Sequence, residues 1–272
     1  MEYKIADAHA HIFPEALAIN ASKSIGDFYQ ITVSEIAKSS VLIENGREAG
    51  IEKFVVCSAA TTPSHVKSIN DFIAAESRLH SEFIPLGTIH PDYEDIHGEI
   101  SRIKELGLKG IKLHSDMQEF NIDDKKAYPI YSECQRLGLP ILFHMGDNRL
   151  DYSAPERLCR VAEDFPELLS IASHFGGYMR WESAYNSFGE LFASGKGKNI
   201  FFDTSSSLFA LDKNKARMML RDLGEDRFMF GTDFPVWKAE DELRRFMALG
   251  LGEEENRKIL GLNLEKLFKV KL

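Results

Sequence analysis

The sequence predicts an α/β fold of the (β/α)8 TIM-barrel class, organised as a single domain over residues 1–272. Short β-branched or aromatic runs alternate about eight times with longer helical patterns, which is typical of βαβ units around a parallel sheet. The chain length suits one barrel, and no Pro/Gly/Ser-rich linker divides the chain. A doubly wound open sheet is the alternative, because the right-handed crossover rule leaves few other topologies.

Eight segments have the pattern of short buried strands. Each is an apolar run bounded by turn-forming or polar residues, and a stretch with helical spacing of apolar residues follows it. The predicted strands cover residues 3–9, 51–58, 83–90, 108–114, 140–144, 168–174, 199–204 and 227–232.

Two segments add to this regular pattern. Residues 12–33, after the first strand, are too long for a usual βα connection of about 2–6 residues. They carry Phe13, Phe28 and Tyr29, so we predict that this lid segment covers the site. Residues 253–272 predict extra C-terminal helices that close the bottom or side of the barrel.

Composition narrows the classes of partner and location. A formal net charge of −9 disfavours nucleic-acid or anionic-membrane partners, which need a positive surface. The three cysteines, Cys57, Cys134 and Cys159, are odd in number and lie in apolar segments, so we expect reduced thiols. We find neither a signal-peptide pattern nor an apolar run of about 18 residues. These features predict a cytoplasmic protein without nucleic-acid or membrane partners.

Histidine and aspartate side chains occur at the carboxyl ends of predicted strands, where barrel enzymes assemble their sites. His9 and His11 are two residues apart and therefore share one face of the first strand. His144 ends the fifth strand, and Asp233 follows the eighth, which closes against the first. This set predicts one divalent metal ion bound by nitrogen and carboxylate ligands, most simply zinc, with manganese or iron as alternatives.

The carboxyl ends of the strands, which form the mouth of the predicted barrel, also carry candidate catalytic groups. His174 ends the sixth strand and could activate water, while Asp233 could bind metal through one oxygen and accept a proton through the other. Asp7 fits either an acceptor for a ligand imidazole or a buried structural carboxylate. A carboxylated Lys112 bridging two metals is a less favoured alternative, because this residue lies about 6–7 Å below its strand end.

Candidate substrate-binding residues follow other predicted strands. His114 should point into the mouth from the fourth strand. Arg149 and Arg180 follow the fifth and sixth strands and could receive a substrate carboxylate, although solvated loop charges are an equal alternative.

The motifs together resemble the amidohydrolase superfamily, in particular the amidohydrolase-2 type that includes aminocarboxymuconate-semialdehyde decarboxylase. The resemblance covers nearly the whole chain. It rests on Asp-Ala-His-Ala-His at 7–11, Gly-Ile-Lys-Leu-His at 110–114, His144, His-Phe-Gly-Gly at 174–177 and Gly-Thr-Asp-Phe-Pro at 231–235.

The resemblance implies a mononuclear metal site at His9, His11, His144 and Asp233, with His174 as the water-activating histidine. It also implies that Lys112 is not a carboxylated bridge, that zinc is the most common metal and that a homodimer is possible. Our leading hypothesis is a metal-dependent hydrolase acting on a small, carboxylate-bearing molecule through metal-activated water. A metal-dependent decarboxylase of a cyclic or unsaturated acid is the alternative, and a non-catalytic binding barrel is the third.

Overall fold

The computed structural model describes residues 3–272, which form a closed ring of parallel strands surrounded by helices. The strands are β1 Ile5–His11, β2 Ile51–Cys57, β3 Phe83–Pro85, β4 Gly87–Thr88, β5 Ile111–Leu113, β6 Ile141–Phe143, β7 Ser170–Ala172, β8 Ile200–Asp203 and β9 Phe228–Met229. They pair in parallel in two runs, β1-β2-β3 and β4-β5-β6-β7-β8-β9.

The two runs close into one barrel. Strands β3 and β4 are consecutive pieces of the predicted third strand, and Leu86 between them donates its N–H to the Val56 carbonyl at 2.9 Å. On the other side, the Ala8 N–H donates to the Phe230 carbonyl at 2.8 Å, which joins β1 to the continuation of β9. The ring therefore has eight strand positions, and the predicted (β/α)8 barrel is confirmed.

Helices follow the strands and cover the outside of the ring. They are α1 Ala18–Tyr29, α2 Ser39–Glu48, α3 Val66–Leu79, α4 Ile96–Glu105, α5 Ser115–Gln118, α6 Tyr128–Leu137, α7 Pro155–Asp164, α8 Trp181–Ala193, α9 Lys213–Leu223, α10 Ala239–Met247, α11 Glu253–Arg257 and α12 Asn263–Phe268. Within residues 3–272, we find no helix with the length and apolar character needed to cross a membrane.

Two apolar cores stabilise this arrangement. The larger lies between the strands and the outer helices, and the smaller fills the inside of the ring with side chains such as Ala6, Val55 and Ile171. Leu264 and Phe268 of α12 belong to the inner core, so the C-terminal helix packs against the interior of the barrel. The predicted closing role of residues 253–272 follows from this packing.

The lid segment contains a helix of three turns. Helix α1 buries its small residues Ala18, Ser22 and Gly26 against the rest of the protein. A Cβ atom at Gly26 would lie 2.9 Å from the Ile31 carbonyl oxygen, so only glycine fits this close approach. The helix ends at Tyr29, and Gln30 has a left-handed conformation that turns the chain back.

Candidate functional site

Strand β1 and the chain after β9 bring three ligand-type side chains together. His9 and His11 project from the same face of β1, and the Asp233 N–H donates to the His9 carbonyl at 2.8 Å. The two Nε2 atoms lie 3.1 Å apart. Oδ1 of Asp233 is 3.6 Å from Nε2 of His9 and 3.4 Å from Nε2 of His11.

These separations fit shared coordination of one cation. Two ligand atoms about 2.0–2.1 Å from a tetrahedral metal lie about 3.3 Å apart, close to the three distances observed. Burial, helped by Lys112, lowers the pKa of His9 to about 4, so its imidazole is neutral. Burial disfavours a charge on Asp233, but His9 and His11 hold the pKa of this carboxyl well below its usual range. Burial disfavours a charge on His11, but Cys57 and Asp233 raise the pKa of this imidazole to about 9, so His11 must release a proton when it binds a metal.

Asp203, at the end of β8, orients the first histidine. Its Oδ2 lies 3.1 Å from Nδ1 of His9, and its Oδ1 accepts hydrogen bonds from the His174 N–H and the Ser205 hydroxyl. A carboxylate accepts, so Nδ1 of His9 carries the proton and Nε2 presents its lone pair to the site. The sequence analysis missed Asp203, although its place at a strand end gave the same signal as the predicted ligands.

His144 and His174 lie side by side at the mouth of the barrel. Nε2 of His174 is 3.1 Å from Nδ1 of His144, and Nδ1 of His174 is 3.1 Å from the Ser205 carbonyl oxygen. The carbonyl fixes the proton of His174 on Nδ1 and leaves Nε2 as an acceptor. Burial lowers the pKa of His174, which keeps the ring neutral.

Asp233 is held by a second side chain that the sequence analysis did not identify. The Ser206 hydroxyl donates to Oδ2 of Asp233 at 2.5 Å, and the Trp237 indole N–H donates to the same hydroxyl at 3.0 Å. Oδ1 therefore faces the histidines while Oδ2 is occupied by Ser206.

The sequence left alternative roles open for Lys112 and Asp7, and the structure shows which groups each of them contacts. Lys112 is fully buried and its Nζ lies 3.0 Å from Nε2 of His9, so it reaches the histidines although it lies below the strand end. Asp7 accepts hydrogen bonds from the His9 and Thr232 N–H groups and from the Thr232 hydroxyl. It joins β1 to the eighth strand position, which corresponds to the structural alternative for this carboxylate.

A cavity of about 410 Å³ opens beside these groups. Its polar lining includes His11, His114, Asp116, His144 and Asp233, and its apolar lining includes Phe13, Ile25, Phe28, Tyr29, Met117 and Val236. Within residues 3–272, no Lys or Arg side chain is among the lining residues. The walls are thus suited to a compact, largely apolar molecule.

His114 meets the lid above this cavity. Its ring stacks on His144 with centroids 4.0 Å apart, and its Nε2 lies 2.7 Å from the Tyr29 hydroxyl. Oδ2 of Asp116 lies 3.5 Å from Nε2 of His144, and burial raises the pKa of Asp116 to about 7. Tyr29 was predicted only as part of a lid, and Asp116 was not predicted.

The two arginines lie beside the cavity. Arg149 pairs with Asp147 and donates through Nη1 to the Phe28 carbonyl at 2.7 Å. Arg180 donates to the carbonyls of Asp147 and Leu150. Both guanidinium groups therefore have partners within the protein, and a direct role of either in substrate binding stays a prediction.

Comparison with protein families gives a match to the amidohydrolase family (Amidohydro_2) over residues 6–270. The chain belongs to this family, as its barrel and the ligand-type residues at the strand ends indicate.

The sequence identity to an individual curated relative is low. Over 202 residues, the chain is 27% identical to 2-amino-3-carboxymuconate-6-semialdehyde decarboxylase of Dictyostelium discoideum, an alignment that covers 61% of this chain. The match spans about half (55%) of the length of that curated relative.

Solved structures share the fold. The 5-carboxyvanillate decarboxylase of Novosphingobium aromaticivorans, with bound manganese and 3-methoxy-4-hydroxy-5-nitrobenzoic acid, superposes with a TM-score of 0.77 at 18% identity, covering 98% of this chain and 97% of the other. A candidate 2-pyrone-4,6-dicarboxylic acid hydrolase of Pseudomonas putida gives a TM-score of 0.71 at 17% identity over 100% of both chains. At these identities the likeness shows the fold alone.

Proposed function

We propose that this protein is a metal-dependent decarboxylase of a small unsaturated or aromatic acid with one carboxylate. The observation that carries the proposal is the convergence of His9, His11 and Asp233, whose ligand atoms lie 3.1–3.6 Å apart at the mouth of an amidohydrolase barrel. Binding of one cation by the three side chains would account for these short distances between their ligand atoms.

The proposed ligands are His9, His11, His144 and Asp233, with Asp233 acting through Oδ1. The mixed nitrogen and oxygen set suits zinc, and manganese or iron are the alternatives, the relative from Novosphingobium aromaticivorans being a manganese-bound example. When bound, a divalent cation would supply positive charge that holds and polarises an anionic substrate.

His174 is the proposed proton carrier at the reacting atom. Its Nδ1 proton is engaged by the Ser205 carbonyl, so Nε2 first takes up a proton from solvent or from a substrate hydroxyl and then delivers it to the substrate carbon as CO2 leaves. Asp233 is a second proposed proton acceptor, but the Ser206 hydroxyl already donates to its Oδ2. We therefore assign the main proton transfer to His174.

The walls of the cavity favour decarboxylation over hydrolysis. Loss of CO2 from a carboxylate, with uptake of a proton at carbon, removes a negative charge from the cavity. An apolar lining without Lys or Arg favours that neutralisation, because an unpaired charge is costly to bury. The same lining disfavours substrates with several carboxylates.

Hydrolysis is the second candidate function, and it was our leading hypothesis from the sequence. The observation in its favour is the neutral His174, whose Nε2 lone pair lies 3.1 Å from Nδ1 of His144 and could take a proton from water. The two reactions differ in their products, since a hydrolase adds water and releases no CO2.

The test compares metal content and products. Protein purified without chelator is expected to hold about one divalent ion per chain. It should release CO2 from an acid with one carboxylate, such as 2,6-dihydroxybenzoate. It should act more slowly, or not at all, on 5-carboxyvanillate, 2-amino-3-carboxymuconate semialdehyde and 2-pyrone-4,6-dicarboxylate, which carry two carboxylates. Ring opening of the pyrone without CO2 would establish hydrolysis instead.

Two variants separate the roles of the histidines. His174→Ala should keep the metal and lose about 10²–10⁴-fold in turnover, the usual contribution of a proton-transfer residue. His9→Ala should lose the metal as well. Metal retained in His9→Ala, or full turnover in His174→Ala, would contradict the proposed site.

The remaining assignments are part of the same proposal. We propose that His114 contributes to the substrate-binding end of the cavity, while direct contacts from Arg149 and Arg180 stay predictions. A homodimer and a cytoplasmic location also stay predictions, which light scattering and fractionation of the native cells can check.

A further inference from the structure

We infer that Tyr29 of the lid segment donates a hydrogen bond to an oxygen of the bound substrate, with His114 and Arg149 as positioning residues. This inference rests on the proposed function, because it assigns a recognition group to the same site. It is carried by the direction of the hydrogen bonds around Tyr29 and by the contacts that hold the end of α1.

The proton arrangement starts at His114. Its Nδ1 accepts a hydrogen bond from the Met117 N–H at 3.3 Å, in the first turn of α5. A neutral imidazole carries one proton, so the proton of His114 is on Nε2. Nε2 lies 2.7 Å from the Tyr29 hydroxyl oxygen and therefore donates to it.

The direction of this bond leaves the Tyr29 proton free for another acceptor. After Nε2 of His114, the next nitrogen atoms are those of His144, at 3.3 Å for Nε2 and 3.4 Å for Nδ1. His144 is a proposed metal ligand, and a nitrogen lone pair that binds a cation cannot also accept a proton. With His144 so engaged, the Tyr29 hydroxyl presents its proton to whatever oxygen occupies the cavity that both residues line.

Arg149 holds this hydroxyl in place through the end of α1. Its Nη1 donates to the Phe28 carbonyl, and its guanidinium lies 5.3 Å from the Phe28 ring centroid and 5.8 Å from that of Tyr29. Asp147 fixes the guanidinium from the other side. A cation at the C-terminal end of a helix satisfies its free carbonyls and its dipole. Arg149 thus acts on the substrate through Tyr29.

The first experiment measures binding of 4-hydroxy-3-methoxy-5-nitrobenzoate to manganese-loaded protein by calorimetry. Tyr29→Phe should weaken binding by about 10- to 100-fold, the usual effect of losing a hydrogen bond to a charged group, with metal content unchanged. The matched control is Tyr185→Phe, which removes a hydroxyl that donates to Asp222 on the outer helices. Equal affinity of Tyr29→Phe and wild type, or no binding by wild type, would overturn the inference.

Variants of His114 test its positioning role. His114→Leu should weaken binding about as much as Tyr29→Phe, whereas His114→Gln, which keeps an N–H donor, should retain most of the affinity. In the double variant Tyr29→Phe/His114→Leu the loss should match one single variant, because both remove the same interaction. If the fold-loss of affinity in the double variant equalled the product of the two single losses, His114 would act independently of Tyr29. A proton on Nδ1 of His114, observed by nitrogen NMR, would also overturn the arrangement.

Variants of Arg149 test the contact with the lid. Arg149→Gln should speed amide exchange in residues 18–30 and weaken probe binding, while Arg160→Gln, at an exposed arginine paired with Asp123, should change neither. Unchanged exchange in Arg149→Gln would contradict its role.

Failure of the proposed reaction is distinguishable from failure of this inference. A wild-type protein that binds the probe through Tyr29 but decarboxylates no acid would refute the reaction and support the recognition role. A decarboxylase in which Tyr29→Phe binds the probe normally would give the opposite result.

Discussion

At the residue scale, the chemistry of the site depends on which nitrogen of each histidine carries its proton. Asp203 sets this choice for His9, since a carboxylate accepts but does not donate. The same carboxylate accepts from the backbone of His174 and from the Ser205 N–H and hydroxyl. One buried side chain therefore orients a proposed ligand and the proposed proton carrier together.

Asp203→Asn should weaken metal binding by about 10- to 100-fold with little change in the folded structure. The amide is nearly isosteric, but an NH₂ group facing Nδ1 of His9 would favour the tautomer with its proton on Nε2. Competition with a chromophoric chelator measures the affinity, and circular dichroism checks the fold. Asp222→Asn, at the exposed partner of Arg221, is the control. Wild-type affinity in Asp203→Asn would show that the contact does not tune the site.

The sequence allowed some site residues to be identified and concealed others for a physical reason. His9 and His11 stand out because a period of two on a strand places them on one face. Asp203 gave the same strand-end signal as the predicted ligands, but it is 194 residues from His9 along the chain, so the sequence does not reveal which side chain it orients. Ser206 is hidden in the same way, since its contact with Asp233 arises only when the barrel closes.

At the element scale, the apolar runs predicted all eight strand positions because most residues of the strands are buried on both faces of the sheet. Their lengths were less predictable. The third position is interrupted at Leu86, and several strands have only three residues, since pairing depends on neighbours that are distant in sequence. The lid segment was predicted from its length, but its helix α1 was not, because small residues such as Ala18, Ser22 and Gly26 form the buried face.

Two helical glycines should respond in opposite ways to the same substitution. A Cβ at Gly46 of α2 would lie 2.1 Å from the Phe54 ring of β2, whereas a Cβ at Gly189 of α8 meets no atom within 4 Å. Gly46→Ala should lower the free energy of unfolding by about 1–3 kcal/mol through overpacking. Gly189→Ala should raise it by about 0.5–1 kcal/mol through helix propensity.

Urea denaturation of both variants measures these changes in the free energy of unfolding. A neutral or stabilising Gly46→Ala would mean that α2 moves away from β2 without loss of packing. The pair also tests how closely the outer helices must approach the ring that positions the site.

At the scale of the whole molecule, one end of the barrel is closed by apolar packing and the other end holds the candidate site. The inner core is closed by Leu264 and Phe268 of α12, which gives the ring a rigid base. The opposite end holds buried ionisable groups whose preferred charge states differ from those in the unfolded chain. Stability of the molecule is therefore linked to pH through groups that lie in and around the site.

Glu242 of α10, which is not a proposed metal ligand, allows this dependence of stability on pH to be measured. It is almost fully buried, and burial raises the pKa of Glu242 to about 7 despite the neighbouring Arg245. Its folded pKa exceeds its unfolded value, so the folded protein binds more protons between about pH 4.5 and pH 7. The contribution of Glu242 to stability is complete below pH 4.5 and is lost as the pH rises towards 7.

Glu242→Gln removes this titration, so the stability of wild type relative to the variant should fall by up to about 3 kcal/mol between pH 4.5 and pH 7.5. Buried neutral histidines change stability in the opposite direction, but their contribution is common to both proteins and cancels in the difference. Urea denaturation of metal-free protein across this range supplies the measurement. Glu254→Gln, at an exposed residue of α11, is the matched control. A constant difference for Glu242→Gln would mean that Glu242 stays ionised and paired with Arg245 at every pH tested.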